Sequence, residues 1–176
     1  VALPHGESMP VVNELWHLPH SPKIIDLSSD FRLPAAEYLT HYGSAHLYPE
    51  LLQHAIYGTP ELSREEIQSA RLVANPGCFA HCCTLALTPL ALHGILSDKA
   101  TISAITGSTG SGATVSDKTH HPARNESLSA YQVLSHRHTP EIQNALTRAG
   151  RGNRVRIQLV PHSGPFSRGI FATCFS

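Results

Sequence analysis

The sequence shows no surplus of either charge: thirteen lysines and arginines balance thirteen aspartates and glutamates over 176 residues. That balance leaves no electrostatic footprint for nucleic acid or an anionic membrane surface, both of which recruit clustered basic groups. No apolar run reaches the roughly 18–20 residues that cross a bilayer, and no stretch reads as the apolar core of a signal peptide. Neither membrane nor nucleic acid is therefore expected as a partner. Cysteine is scarce: the four at 78, 82, 83 and 174 form no evenly spaced disulfide framework, which points to reduced thiols and a cytoplasmic setting. Repeats, low-complexity tracts, a P-loop and a complete G-x-G-x-x-G fingerprint are all missing. So is an initiator methionine. Val1-Ala-Leu-Pro-His-Gly reads like a strand end entering a turn, and hence like part of a longer chain.

What is present is a globular composition, 41% apolar and 15% charged, with thirteen histidines. That histidine density invites acid–base or metal chemistry. Spacing predicts a helix after Ser8, taken as its cap, with Pro10 in the first turn. A buried strand at 23–27, a short helix at 34–42, a long irregular loop at 42–60, a polar helix at 61–70 and a brief strand at 71–74 follow. A helix over 78–93 carries Leu85, Leu87, Leu90 and Leu92, and Pro89 is expected to kink it or end it early. Beyond it come a strand at 99–106, a glycine-rich loop at 107–112, a polar loop at 117–127 and an extended segment at 128–134. A helix capped by Thr139, with Pro140 at its first position, runs to about 148 and precedes strands at 153–160 and 169–175. The change from alternating strand and helix to a strand-rich pattern puts a domain boundary near residue 75.

Asn75-Pro76-Gly77-Cys78 places a thiol where a tight turn feeds a helix. Unsatisfied N–H groups and the positive end of the helix dipole favour thiolate there, and could hold an oxyanion formed on attack at a carbonyl. The competing reading is a buried structural cysteine, and Cys82 and Cys83 read as small core fillers. Ser135 to Ile142 (SHRHTPEI) supplies His136 and His138 as bases or acids and Arg137 as an anion clamp. If the stretch is extended, both histidines face one side, and Glu141 then complements the helix dipole. A polar surface loop is the plainer alternative. Gly107 to Gly112 would allow close backbone approach to a ligand, and VPHSGPFSRG (160–169) offers His162 and Arg168 for an anion. A zinc site built from His120, His121 and the cysteines lacks any ligand spacing to support it, and no metal is expected.

DLSSDFRL (26–33), YGTPEL (57–62), NPGC (75–78), GSTGSG (107–112), HRHTPEI (136–142) and PHSGPFSRGIFAT (161–173) occur in this order. Together they resemble the N-acetyl-gamma-glutamyl-phosphate reductase family of arginine biosynthesis, in the aspartate-semialdehyde-dehydrogenase-like superfamily. The resemblance implies an α/β and α+β chain: the distal part of a Rossmann-type NAD(P)-binding domain (1–75), then a glyceraldehyde-3-phosphate-dehydrogenase-like catalytic domain with a mixed sheet (76–176). It implies NADP(H), a small-molecule acyl phosphate, inorganic phosphate and a homo-oligomer. Cys78 matches the nucleophile and His136 the acid or base, with His138 second. Arg137, His138, His162 and Arg168 become candidates for substrate, and Gly110 and Gly112 for cofactor. It also implies that the N-terminal nucleotide-binding motif is missing, leaving a piece that binds NADPH poorly and is inactive alone.

Two departures touch the substrate. Phe79-Ala80-His81 stands where the family has Tyr-Pro-Thr, and His120-His121-Pro122 resembles the sister enzymes acting on carrier-linked aminoadipyl or glutamyl phosphate. A cofactor-free cysteine hydrolase and a His-rich metal-binding module are the alternatives from other classes.

Overall fold

Three-residue runs of β-branched and small residues make the first sheet. In this computed structural model, which describes residues 1–176, the chain divides into units Val1–Gly77 and Cys78–Ser176. In the first unit, β1 (Ile24–Asp26), β2 (Ala55–Tyr57) and β3 (Leu72–Ala74) pair in parallel in the order β1-β3-β2, with Ile24 and Ala55 both opposite Leu72. Parallel pairing requires crossovers, and the chain supplies α2 (Ala35–Tyr42) and α3 (Pro60–Ser69) between the strands, with α1 (Ser8–Trp16) ahead of them. Met9, Val12, Ile24, Phe31, Tyr38, Leu51 and Leu72 form the core. Each such side chain taken out of water contributes on the order of 1.5–3 kcal/mol.

Several expectations for this unit need correction. Ser8 does not cap α1; Glu7 holds that position, and the buried Ser8 hydroxyl instead meets Ser28 Oγ at 2.8 Å and Asp30 Oδ2 at 3.2 Å. Val1 is outside the sheet, although its carbonyl accepts the Leu27 N–H at 2.9 Å. β1 is buried on one face only, since Ile25 is exposed. The segment read as an irregular loop holds a 3₁₀ turn, Pro49–His54, and β2 itself. The single loop expected over 42–60 contains one short strand.

The second unit is a mixed sheet under two helices. β4 (Lys99–Thr106) runs parallel to β6 (Arg156–Ser163), while β5 (Ser129–Ala130) and β7 (Ile170–Phe175) are antiparallel, in the order β5-β6-β4-β7. Alternation sends Ala100, Ile102 and Ala104 of β4 inward with Ile157 and Leu159 of β6. There they meet Phe79, Cys83 and Leu87 of α4 (Cys78–Leu92), and Ile142 and Leu146 of a helix at Thr139–Ala149. That helix is numbered α6, because α5 is a four-residue turn, His121–Arg124, inside the segment read as loop.

Pro89 does not end α4, which runs on to Leu92. It sits on the exposed side, so the Leu85 carbonyl deprived of its N–H partner can turn to water. Thr139 is the first residue of α6 and His138 its cap. Only Ser129–Ala130 of the 128–134 segment is strand, because Gln132 (φ 44°) and Leu134 (φ 58°) turn the chain left-handed.

Candidate active site

Cys78 is the first residue of α4 and its thiol is exposed. The next residue, Phe79, is 99% buried, and its ring meets the His136 ring edge-to-face at 5.4 Å. One residue thus ties the helix start to the histidine loop. Tyr131 closes the group, 5.7 Å from His136 and 6.5 Å from Phe79, ring to ring. Burial pushes the Tyr131 hydroxyl above its ordinary value and Cys78 beside it adds to the shift.

His136 and His138 are both buried, and their rings meet at 4.6 Å. Arg137 between them is exposed. The alternation expected of an extended strand therefore survives, although the backbone here is a turn. Burial, helped by the Arg137 cation, lowers His136 to about 4, so the ring is neutral at pH 7. Its Nδ1 accepts the His138 backbone N–H at 3.1 Å, which leaves the single ring proton on Nε2. That proton is a donor available to a neighbouring oxygen. His138 Nε2 stands 4.0 Å from Glu141 Oε1, and both side chains are buried. Glu141 is therefore more than a complement to the helix dipole.

The remaining candidates form a second group. Gly107 N–H donates to Gly169 O, Ser108 N–H to Phe166 O and Thr109 N–H to Ser167 O, at 2.8–3.0 Å. The glycine-rich loop thus spends these amides on the 164–169 loop. A Cβ on Gly107 would lie 2.7 Å from Arg168 N, and one on Gly110 would lie 2.8 Å from Thr106 Oγ1. Close approach to the 164–169 loop accounts for Gly107 and contact with Thr106 at the end of β4 for Gly110, while Gly112 has φ 77°. Arg168 is exposed; His162, half-buried on β6, pairs with Ile105 and Ala130. No group of three or more His, Cys, Asp or Glu side chains is placed to hold a metal ion. A cleft of about 280 Å³ lined by Ala91, Asp98, Leu146 and Arg154 contains none of these residues. It lies about 20 Å along α4 from Cys78.

Sequence reasoning missed Tyr131 and Phe79 as neighbours of the thiol, and no spacing marks them. Glu141 was findable: it stands three residues after His138, one turn away on a helix.

Residues 78–176 match the family described as semialdehyde dehydrogenase, dimerisation domain. The chain belongs to the semialdehyde dehydrogenase family. Residues 1–70 match that family's NAD binding domain, which corrects the expectation that the nucleotide-binding motif is missing. The G-x-G-x-x-G string is one signature of such a domain, and its absence from the sequence is not the absence of the domain. Similar relatives are the N-acetyl-gamma-glutamyl-phosphate reductases of Magnetococcus marinus, 45% identical over 99% of this chain and 50% of that protein, and of Dehalococcoides mccartyi, 43% identical over 100% and 51%. The chain spans about half the length of the curated relatives it matches.

Among solved structures, aspartate semialdehyde dehydrogenase II complexed with ASA from Vibrio cholerae aligns with a TM-score of 0.60 at 10% identity, over 96% of this chain and 50% of that one. Aspartate semialdehyde dehydrogenase with NADP from Candida albicans gives 0.58 at 8% identity, over 99% and 49%. The fold is therefore the two-domain one: an N-terminal NAD(P)-binding-like α/β domain and a C-terminal mixed-sheet domain.

The first unit fits a dinucleotide by its own geometry. The register aligns Asp26, Ala74 and Tyr57 at the carboxyl edge of the parallel sheet, where such sheets take ligands. Just past that edge, Thr59 Oγ1 is buried without a hydrogen-bond partner.

Proposed function

We propose that the protein is an NADP-dependent acyl-phosphate reductase, converting N-acetyl-gamma-glutamyl phosphate to N-acetylglutamate 5-semialdehyde and phosphate in arginine biosynthesis. The observation that carries the reading is an exposed thiol at the start of α4, adjacent in sequence to Phe79, whose ring contacts Tyr131 and a neutral, Nε2-protonated His136. Near-full-chain similarity to reductases of that name supports the substrate.

The Cys78 sulfur attacks the acyl carbon, the C–O bond to phosphate breaks, and phosphate leaves with the electron pair. The first-turn amides of α4 stabilise the oxyanion that develops in between. His136 Nε2–H donates a hydrogen bond to the carbonyl oxygen as charge builds there, keeping its proton, and Nδ1, held by the His138 amide, keeps the ring from rotating. Arg137 and Arg168, both exposed cations, and His138 and His162 are the candidates to serve the substrate's phosphate or carboxylate. Thr59 and Asn75 at the carboxyl edge of the first sheet would hold polar groups of the cofactor. When bound, NADPH supplies the hydride that reduces the thioester. The reading includes a homo-oligomer, through the dimerisation-domain match, and a cytoplasmic location.

The test is NADP⁺- and phosphate-dependent oxidation of N-acetylglutamate semialdehyde by protein carrying this chain, comparing wild type with Cys78→Ser. Loss on the order of 10⁴-fold or more is expected, as for nucleophiles in covalent catalysis. Activity that ignores phosphate, or survives the substitution, overturns the reading. A hydrolase would release free acid and would need no NADP⁺.

A further inference from the structure

Cys82 is a second thiol that the proposed chemistry does not use. It lies one helical turn after Cys78 on α4, which in a regular helix puts the two Cα atoms about 6 Å apart. Disulfides span roughly 4.4–6.8 Å between Cα atoms. Cys78 is exposed and Cys82 half-buried, whereas Cys83 is buried in the core and Cys174 sits half-buried on β7. A hydrogen bond from the Cys83 thiol brings Cys82 down to about 7, and the same bond, with burial, pushes Cys83 up. Burial raises Cys174 as well. Of the three thiols around Cys78, Cys82 is the one within reach and available as thiolate.

We infer that Cys82 is a resolving thiol for Cys78, so that oxidation of Cys78 by a hydroperoxide ends in a reversible Cys78–Cys82 disulfide. In the first step the Cys78 sulfur attacks the peroxide. An S–O bond forms, the O–O bond breaks, sulfur is oxidised to the sulfenic acid and the departing oxygen leaves as hydroxide or alkoxide. In the second step the Cys82 thiolate attacks Cys78 Sγ. The S–S bond forms, the S–O bond breaks, and hydroxide leaves and takes a proton to become water. A sulfenate with no partner thiol goes on instead to sulfinic acid, which thiol reductants do not reverse.

The helix start makes closure affordable. Side chains four apart on a helix hold their Cβ atoms about 5–6 Å apart, beyond the ~3.8 Å of a disulfide, so the first turn must open. Cys78 is the first residue of α4, so opening the turn costs one ladder bond, from the Cys82 N–H to the Cys78 carbonyl. The inference needs only the two free thiols and holds whether or not Cys78 is the nucleophile of the proposed reaction.

Phe79 lies between the two cysteines in sequence, which makes the test direct. The protein is treated with a several-fold molar excess of hydrogen peroxide, blocked with iodoacetamide and cleaved with chymotrypsin after Phe79. The peptides carrying Cys78 and Cys82 are expected to stay joined, with the loss of two hydrogens, and to separate on adding dithiothreitol. In Cys82→Ala, most of Cys78 is expected as sulfinic acid that dithiothreitol does not return to alkylatable thiol. Separate peptides after peroxide, a Cys82–Cys174 crosslink in their place, or full recovery of Cys78 in Cys82→Ala each overturn the inference. The wild-type peptide map decides the matter even if the variant fails to fold.

Discussion

His46 in the first unit and His136 in the second share one local design. Each is 94% buried. Each accepts, through Nδ1, the backbone N–H two residues on, Tyr48 at 3.0 Å and His138 at 3.1 Å. Each lies edge-on to a phenylalanine, Phe31 at 5.0 Å and Phe79 at 5.4 Å, and burial lowers both. The difference is the other nitrogen and the company it keeps. His46 Nε2 is sealed without a hydrogen-bond partner and its ring packs on Tyr38. His136 Nε2 is not sealed in this way, and Phe79 and Tyr131 tie its ring to the cysteine. A depressed histidine is therefore not a site marker in itself; it becomes one beside a nucleophile with an open nitrogen.

Paired substitutions give the largest effect. His136→Asn is expected to lower turnover roughly 10²–10³-fold, the range for a lost oxyanion donor. His46→Asn is expected to leave turnover within a few-fold and to act on stability alone. Steady-state kinetics with NADP⁺ and phosphate, alongside a urea unfolding curve for each variant, separate the two outcomes. Equal rate losses in both would break the comparison, since position beside Cys78 would then explain nothing.

Carboxylates extend the contrast with a smaller effect. Asp30 is fully buried, and it accepts the Gly6 N–H at 2.8 and 3.0 Å, the Ser8 hydroxyl at 3.2 Å, and His5 Nδ1 at 2.6 Å. Asp30→Asn turns an acceptor set against donors and is expected to cost about 1–3 kcal/mol, as for buried donors left unmet. The urea midpoint measures it, and an unchanged midpoint would mean that this network is not what holds the α1 entrance to β1.

The same contrast explains what the sequence made legible. β4 was readable to the residue, because alternation from Lys99 to Thr106 reports one buried face directly. Cys78 was readable as a helix start because Asn-Pro-Gly is turn chemistry, and the two histidines were readable as a pair by spacing. The β2 strand was not, being three half-buried residues without alternation between a 3₁₀ turn and a proline. Ser8 and Thr139 misled because a hydroxyl before a helix predicts a cap only when nothing else competes for it, and the Asp26–Ser28–Asp30 cluster competes for Ser8. Tyr131 was invisible for a different reason: its place beside the cysteine comes from left-handed turns at Gln132 and Leu134, which no residue-type preference forecasts.

The smallest effect is a slope. Both histidines have folded-state values below the ordinary 6.5, so on acidification the unfolded chain binds their protons first. Their contribution to stability is complete above pH 6.5 and falls as the pH drops toward about 4, where folded His136 begins to take its own proton. Carboxylates titrate in part of the same range, so the informative quantity is the difference between wild type and His136→Asn in urea midpoint from pH 7 to pH 4. The variant is expected to lose less stability than wild type over that interval. A histidine-resolved NMR titration should place the His136 ring near 4 and His46 below 6.5, where burial outweighs the opposing charges of Asp30 and Glu50. Titration of His136 at or above 6.5 would mean that its ring carries a proton on both nitrogens in much of the neutral range. Nδ1 could then no longer accept the His138 amide, and the ring orientation that aims the Nε2 proton at the thiol's substrate would be lost.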